Sequence, residues 1–263
     1  MGASEKLWLY VIVPSDKRRR HASNLPGGAF RFSLPGADAV VARFEEEMAE
    51  LTEENLWDHE RVVEAAREKG PAIPFHFATV VNEQALCESL TAMGQGVQDE
   101  LSRLDSKEQY CLKLLWDVEG IGSDLKRQKG IQADNGGDSD GRPHCEESRA
   151  SPGASYLRSR RQFYSIQDEL AEDARRVTGP VHSLLSSKAE ESSAATLASR
   201  AMVLSARYLV ARRSKQDFEQ ALRSLVVERP LTGVMASGPW PPYDFVRIKL
   251  DHVEAISCHP NLL

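Results

Sequence analysis

Cysteine is scarce in this chain of 263 residues. Cys87, Cys111, Cys145 and Cys258 lie far apart with no C-x-x-C pair, so neither a structural zinc site nor a disulfide framework is signalled. Long apolar runs are missing too. The N-terminal run Leu7–Val13 covers seven residues, far short of the roughly 20 needed to span a bilayer. It has no basic lead-in and no cleavage-type site after it, which makes it a poor signal peptide. Basic residues are outnumbered, 33 Lys and Arg against 39 Asp and Glu, for a net charge of −6. That balance argues against nucleic acid as the main partner, because phosphate binding needs a basic face. These absences predict a cytoplasmic protein with reduced thiols and no membrane span.

Catalytic signatures are absent as well. His59-Glu60 has Val63 where H-E-x-x-H requires its second histidine, so the pair reads as polar residues on a helix surface. No G-x-x-x-x-G-K-[ST] phosphate loop and no G-x-S-x-G elbow occurs. Gly94-Gln95-Gly96 falls inside a helical pattern with no strand before it, which is not a dinucleotide fingerprint. His144-Cys145 sits in a glycine-rich stretch where nothing would hold a catalytic geometry, and Cys258-His259 reads the same way. Glu45-Glu46-Glu47 and Glu53-Glu54 read as solvated helix faces, and Lys17-Arg18-Arg19-Arg20-His21 as a solvated loop tip. The expectation is a non-enzyme that needs no metal and no cofactor.

What the chain does contain is a regular pattern of apolar residues. The hydrophobic fraction of 41% and charged fraction of 27% suit a soluble globular protein, and the length is comfortable for two domains. Leu7–Val13 is apolar on both alternating faces, as in a strand covered on both sides. Short strands are predicted at 29–34 and 39–44. A helix is predicted at 55–69, with Leu56, Val63 and Ala66 on one stripe, Trp57 beside it, and Gly70-Pro71 as the stop. An edge strand follows at 72–80, since Pro74 excludes a central one. Asn82 caps a helix carrying Leu86, Leu90, Met93, Val97, Leu101 and Leu104, weakened at Gly94 and Gly96. A strand from Tyr110 to Val118 completes an α+β domain over 1–118. We expect a ferredoxin-like sheet with an extra strand and helices on one face.

Residues 119–153 hold little to bury and read as a Gly/Asp/Ser-rich linker. The second domain, 154–263, opens with a helix from Ala154 to about Val177. Its Tyr156, Phe163, Leu170 and Val177 recur every seven residues, as in a coiled-coil-like seam. Thr178-Gly179-Pro180 should break or bend that helix, and a second runs from 180 to about 188, giving a helical pair. The Ser/Ala-rich run 186–199 reads as a connector. A strand at 202–210, a helix from Ser214 bearing Phe218, Leu222, Leu225 and Val226, and a strand at 231–236 make a β-α-β sheet. Near the helix start, Tyr156, Arg158, Arg160 and Arg161 combine aromatic and basic character and are candidate partner-binding residues.

The stretch around which the chain is organised is Gly238-Pro239-Trp240-Pro241-Pro242-Tyr243-Asp244-Phe245. Three prolines fix φ and remove backbone donors, so a stiff, extended corner is expected. Two readings stand side by side: the aromatics plug the protein's own core, or they form a polyproline-like docking surface. For Trp240 the inward-packed reading is the expectation.

An apolar strand running into G-P-W-P-P-Y-x-F resembles the gas vesicle protein F/L family. His59-Glu60 resembles that family's H-E pair. Pro74-Phe75-His76-Phe77-Ala78-Thr79 resembles its P-x-R-F-G-T segment, with His76 in place of arginine and Ala78 in place of glycine. Gly153-Ala154-Ser155-Tyr156-Leu157 with Arg160 and Arg161 resembles its G-x-x-Y-L-x-x-[RK] helix start. The resemblance spans roughly 7–118 and 153–248. It implies a gas vesicle assembly accessory protein, a minor vesicle component. Such a protein would bind the hydrophobic shell protein, GvpA, together with other accessory proteins, and would assist nucleation or prevent shell-protein aggregation. The alternative from a ferredoxin-like sheet alone is a small-molecule-binding enzyme or sensor.

Overall fold

The computed structural model describes residues 6–15, 25–45, 50–117, 152–196, 201–225, 231–250 and 254–255, without the side chains of 152–167 and 254–255. The basic run 17–21, the stretch 119–151 and the His144-Cys145 and Cys258-His259 pairs lie outside the described residues. The chain forms two compact units. One comprises 1–110, 209–215 and 238–263, the other 111–208 and 216–237. These units are discontinuous, so they do not follow the expected division into 1–118 and 154–263.

The first unit is built on β1 (Lys6–Pro14). Its partners are β3 (Ala37–Arg43) on one edge, and β4 (Ile73–Pro74) and β5 (Thr79–Asn82) on the other. β2 (Phe30–Leu34) extends the sheet beyond β3, and β10 (Glu254–Ala255) pairs with β5. All five pairings are antiparallel. A register shift between Leu9 and Val11 inserts Tyr10 as an extra residue against β3. It moves the faces: Leu7, Leu9 and Ile12 enter one core cluster, while Trp8, Tyr10, Val11 and Val13 enter another.

Each face has its own helical cover. Helix α1 (Glu53–Arg67) brings Val62, Val63 and Ala66 to the Trp8 side. Helices α2 (Glu83–Met93) and α3 (Gln95–Leu104) bring Leu86, Leu90, Val97, Leu101 and Leu104 to the Leu9 side. The two-sided burial expected of β1 is present. The ferredoxin-like arrangement with helices on one face is not: β1 and β3 are antiparallel neighbours without a helical crossover, and helices cover both faces. A strand apolar on both sides cannot leave one of them to water.

Local chemistry sets the helix ends. The Thr52 hydroxyl accepts from Asn55 N at 3.2 Å, and the Asn82 side-chain oxygen Oδ1 accepts from Gln84 N at 2.9 Å. Gly94, at φ 49°, divides the single helix expected over 82–104 into α2 and α3. The stretch 72–80 is two short strands, interrupted where Ala78 takes the left-handed φ of 64°. A glycine would adopt that conformation without its Cβ penalty.

His59 corrects the surface reading of the His59-Glu60 pair. It is 2% exposed, whereas Leu56 and Trp57, expected on or beside the apolar stripe, are 38% and 54% exposed. The Trp8 indole N–H donates to His59 Nδ1 at 3.2 Å, and His59 Nε2 lies 3.0 Å from the Phe75 carbonyl oxygen. Together these define a neutral ring with its proton on Nε2.

The second unit contains most of a four-stranded sheet in the order β7 (Glu191–Thr196), β8 (Met202–Ala211), β6 (Lys107–Trp116), β9 (Leu231–Trp240). Thus β6 joins this sheet rather than the first, and the 186–199 connector contains a strand. Helix α4 runs unbroken over Pro152–Ser186, so the expected helical pair is one helix among the described residues. Leu170, Ala174, Thr178 and Leu185 are buried along it, while Pro180 is exposed. The bond lost at proline faces solvent, where water can satisfy the freed carbonyl. Helix α5 (Lys215–Arg223) buries Phe218 against Tyr208, ring centroids 5.4 Å apart.

Burial of His59, opposed by its bond to Phe75 and reinforced by His76, lowers its pKa from 6.5 to about 4. The unfolded chain therefore takes up this proton at a higher pH than the folded one. The stabilisation is complete above about pH 6.5 and is lost as pH falls toward 4, by up to about 1.4 kcal/mol per pH unit. Melting temperature should drop across this window, and His59→Gln should flatten the drop. Equal slopes for the two proteins would refute the assignment.

Candidate functional site

The Gly238–Phe245 corner belongs to the first unit, and the structure shows what holds it. Gly238 has φ 125°, and a Cβ there would lie 2.7 Å from Gln109 O and 3.1 Å from Tyr110 Cδ1. Only glycine lets the chain pass this close to β6. The Gly238–Pro239 peptide is cis. The strand continues through Trp240, on the edge of its sheet where proline is tolerated. Pro241 and Pro242 are buried, and a 3-10 turn, Tyr243–Phe245, follows.

Polar side chains fasten that turn. Gln109, itself buried, donates through Nε2 to Asp244 Oδ2 at 2.5 Å and accepts from Asp244 N at 3.0 Å. Arg103 donates to the Phe245 carbonyl and grips Glu100 with two bonds of 2.8 Å. Glu100 also accepts from Arg247 N at 2.7 Å. Burial alone would raise the Glu100 pKa, but the Arg103 and Arg247 bonds and charges outweigh it and hold the carboxyl below its ordinary value. The turn aims Phe245 into the Leu9-side core. Tyr243 packs against the Trp8-side cluster, where it stacks on His76 at 5.2 Å and donates its hydroxyl to Glu60 Oε1 at 2.8 Å. Burial, with the adjacent Glu60 charge, raises the Tyr243 pKa. His76, standing where the resembling segment has arginine, thus meets the corner through its ring.

Trp240 is half-buried and outside both core clusters, contrary to the inward-packed expectation. With Pro239 and Pro241 it forms one wall of a groove of about 380 Å³. The rest of the lining comes from Trp57, Glu60, Arg61, Glu64 and Arg67 on α1, and from Glu108 on β6. Residues 57, 60, 61, 64 and 67 follow helical spacing, so a single ridge of α1 lines the groove. That ridge spans roughly 15 Å at 1.5 Å per residue. The rings of the corner therefore divide: Tyr243 and Phe245 face inward, and Trp240 lines the groove.

Of the residues singled out in the sequence, Gly238, Pro239, Trp240, Pro241, Pro242, Tyr243 and Phe245 come together here. Tyr156, Arg158, Arg160 and Arg161 fall on α4, but their side chains lie outside the described residues. Gln109, Glu100 and Arg103 are not singled out by the sequence, and Glu60 is named only within the His59-Glu60 pair. The 57-60-61-64-67 spacing was the available signal for the α1 ridge. Among the described residues no group of three or more His, Cys, Asp or Glu could hold a metal ion, and no helix is long and apolar enough to cross a membrane.

Gly238→Ala should destabilise the protein by several kcal/mol, because the added methyl meets backbone and the φ is unfavourable. A chemical-denaturation midpoint equal to wild type would contradict the close approach. Phe245→Ala should cost about 3–5 kcal/mol as a core truncation. Trp240→Ala should cost clearly less; equal losses would return Trp240 to the core.

No curated protein matches this chain in sequence. Among solved structures, it is similar to the gas vesicle protein GvpF from Anabaena sp. PCC7120, with a TM-score of 0.68 and 17% identity, over 94% of this chain and 98% of that one. GvpF from Microcystis aeruginosa is similar with a TM-score of 0.65 and 16% identity, over 92% and 99%. At such identities the likeness is one of fold. The model of the family described as gas vesicle synthesis protein GvpL/GvpF matches residues 6–247. The chain belongs to the gas vesicle synthesis protein GvpL/GvpF family.

Proposed function

We propose that this chain is a non-catalytic accessory protein of gas vesicle assembly, acting in the cytoplasm and at the vesicle. It binds the hydrophobic shell protein, GvpA, and keeps it from aggregating before it enters the growing shell. Family membership supports the link to gas vesicles. The observation that carries the binding role is the groove faced by Trp57 and Trp240. Large aromatic rings left accessible beside prolines are unusual for a surface with no partner. A shell subunit exposes apolar surface and would self-associate in water. An aromatic groove offers that surface a reversible cover, and the fastened corner keeps the rings ordered before binding, which lowers the entropy lost on association.

The direct test is light scattering from GvpA diluted out of denaturant, with and without this protein. Roughly equimolar protein should suppress aggregation, and the Trp57→Ala/Trp240→Ala double variant should suppress it less. Undiminished aggregation with wild type, and no co-purification of the two proteins, would overturn the proposal. A metabolite co-purifying in place of the shell protein would favour the ligand-binding alternative.

A further inference from the structure

The charges of the groove are unevenly matched. Arg67 is committed to Glu64 at 2.6 Å and to the Lys107 carbonyl at 2.8 Å, and Arg61 pairs with Asp58. Glu108 has Arg212 at 3.2 Å and Lys215 at 3.4 Å. Glu60 differs. It receives the Tyr243 hydroxyl, and among the described residues it forms no ion pair with Lys, Arg or His. A half-buried carboxylate with one neutral donor and no ion pair has regained only part of the hydration it lost.

Its surroundings suit a cation supplied from outside. Trp57 and Trp240 lie on the same groove, and indole faces attract ammonium and guanidinium groups. The groove lining carries Glu60, Glu64 and Glu108 against Arg61 and Arg67, a small acidic excess that favours positive charge. Burial raises the Glu60 pKa, the bond from Tyr243 opposes this, Glu64 reinforces it, and the Arg67 charge offsets part of the rise. An incoming cation would relieve that penalty.

We propose that the groove seats one Lys or Arg side chain, carried on an otherwise apolar segment of the shell protein, with the cation on Glu60 and flanked by the Trp57 and Trp240 rings. This rests on the functional reading above and adds the chemistry the groove selects. The apolar neighbours of that side chain meet Pro239 and Pro241. The ion pair sets register along the ridge, because a desolvated carboxylate rejects a segment that brings no cation.

Overlapping peptides tiling GvpA, each labelled with a fluorophore, would be titrated against the full-length protein by anisotropy. Peptides with Lys or Arg among apolar residues should bind. Glu60→Gln and Trp57→Ala should each weaken them about tenfold. Replacing the peptide's basic residue by Met should weaken wild type by the same factor and cause little further loss in Glu60→Gln, because the two changes remove one interaction. Melting curves for both variants confirm that the fold is retained. Trp57 is the safeguard here, since its ring is exposed and its loss leaves the Tyr243 contact intact. Unchanged affinity in both variants, or equal binding of neutral and basic peptides, overturns the groove assignment. If intact GvpA still binds wild type in that case, the accessory role survives. If neither GvpA nor any of its peptides binds wild type, the accessory reading falls and the groove's occupant falls with it.

Discussion

The first unit depends on the burial of β1 on both faces. Seven consecutive apolar residues cannot lie at a water-facing sheet surface, so each side of the strand needs its own cover. Helix α1 supplies one and the α2–α3 pair the other. The extra residue at Tyr10 shifts the alternation, which sends Tyr10 and Val11 to the same side. That side also receives His59, whose two ring nitrogens are both used. A buried imidazole is tolerable here only because it is neutral and fully hydrogen-bonded. Placing α1 through His59 and Val63 turns Trp57, Glu60 and Glu64 outward along one ridge.

The second constraint is the fastening of the corner. Prolines limit the backbone's freedom but provide no donors to anchor it. The anchoring comes from Gln109 on Asp244 and from Arg103 on the Phe245 carbonyl. Arg103 is itself held by Glu100, so a mostly buried ion pair supports the turn. Such pairs contribute less to net stability than their Coulomb attraction suggests, because both charges lose water. Their value here is geometric, since they orient a segment that has few backbone bonds of its own. Gly238 completes the arrangement by allowing the chain to approach Gln109 and Tyr110.

The groove follows from these two features. Core packing fixes the face that α1 presents, and the corner places Pro239, Trp240 and Pro241 opposite it. Tyr243 connects core and groove: its ring lies against the Trp8-side cluster and its hydroxyl holds Glu60. Core and groove are therefore linked through the Tyr243–Glu60 bond. Neighbours in the same short stretch differ in role, with Phe245 in the core and Trp240 at the surface.

Much of the local structure could be read from the sequence. A continuous apolar run identified β1, period-3.6 patterns identified α1 and the α2–α3 region, Asn82 gave the cap, and the prolines of 238–245 marked a corner. These features depend on backbone preferences over a few residues, so sequence by itself determined them. Tertiary structure decided the rest. It placed β6 in the second sheet, made 191–196 a strand, and carried α4 through Pro180, whose missing donor faces solvent. It also buried His59 and, among the described residues, left Glu60 without an ion pair on a groove lined by two tryptophans. A residue's polarity does not say whether a distant Trp8, Phe75 or Tyr243 will complete its hydrogen bonds. Burial and pairing are sums over contacts from remote parts of the chain, and those contacts exist only once it has folded.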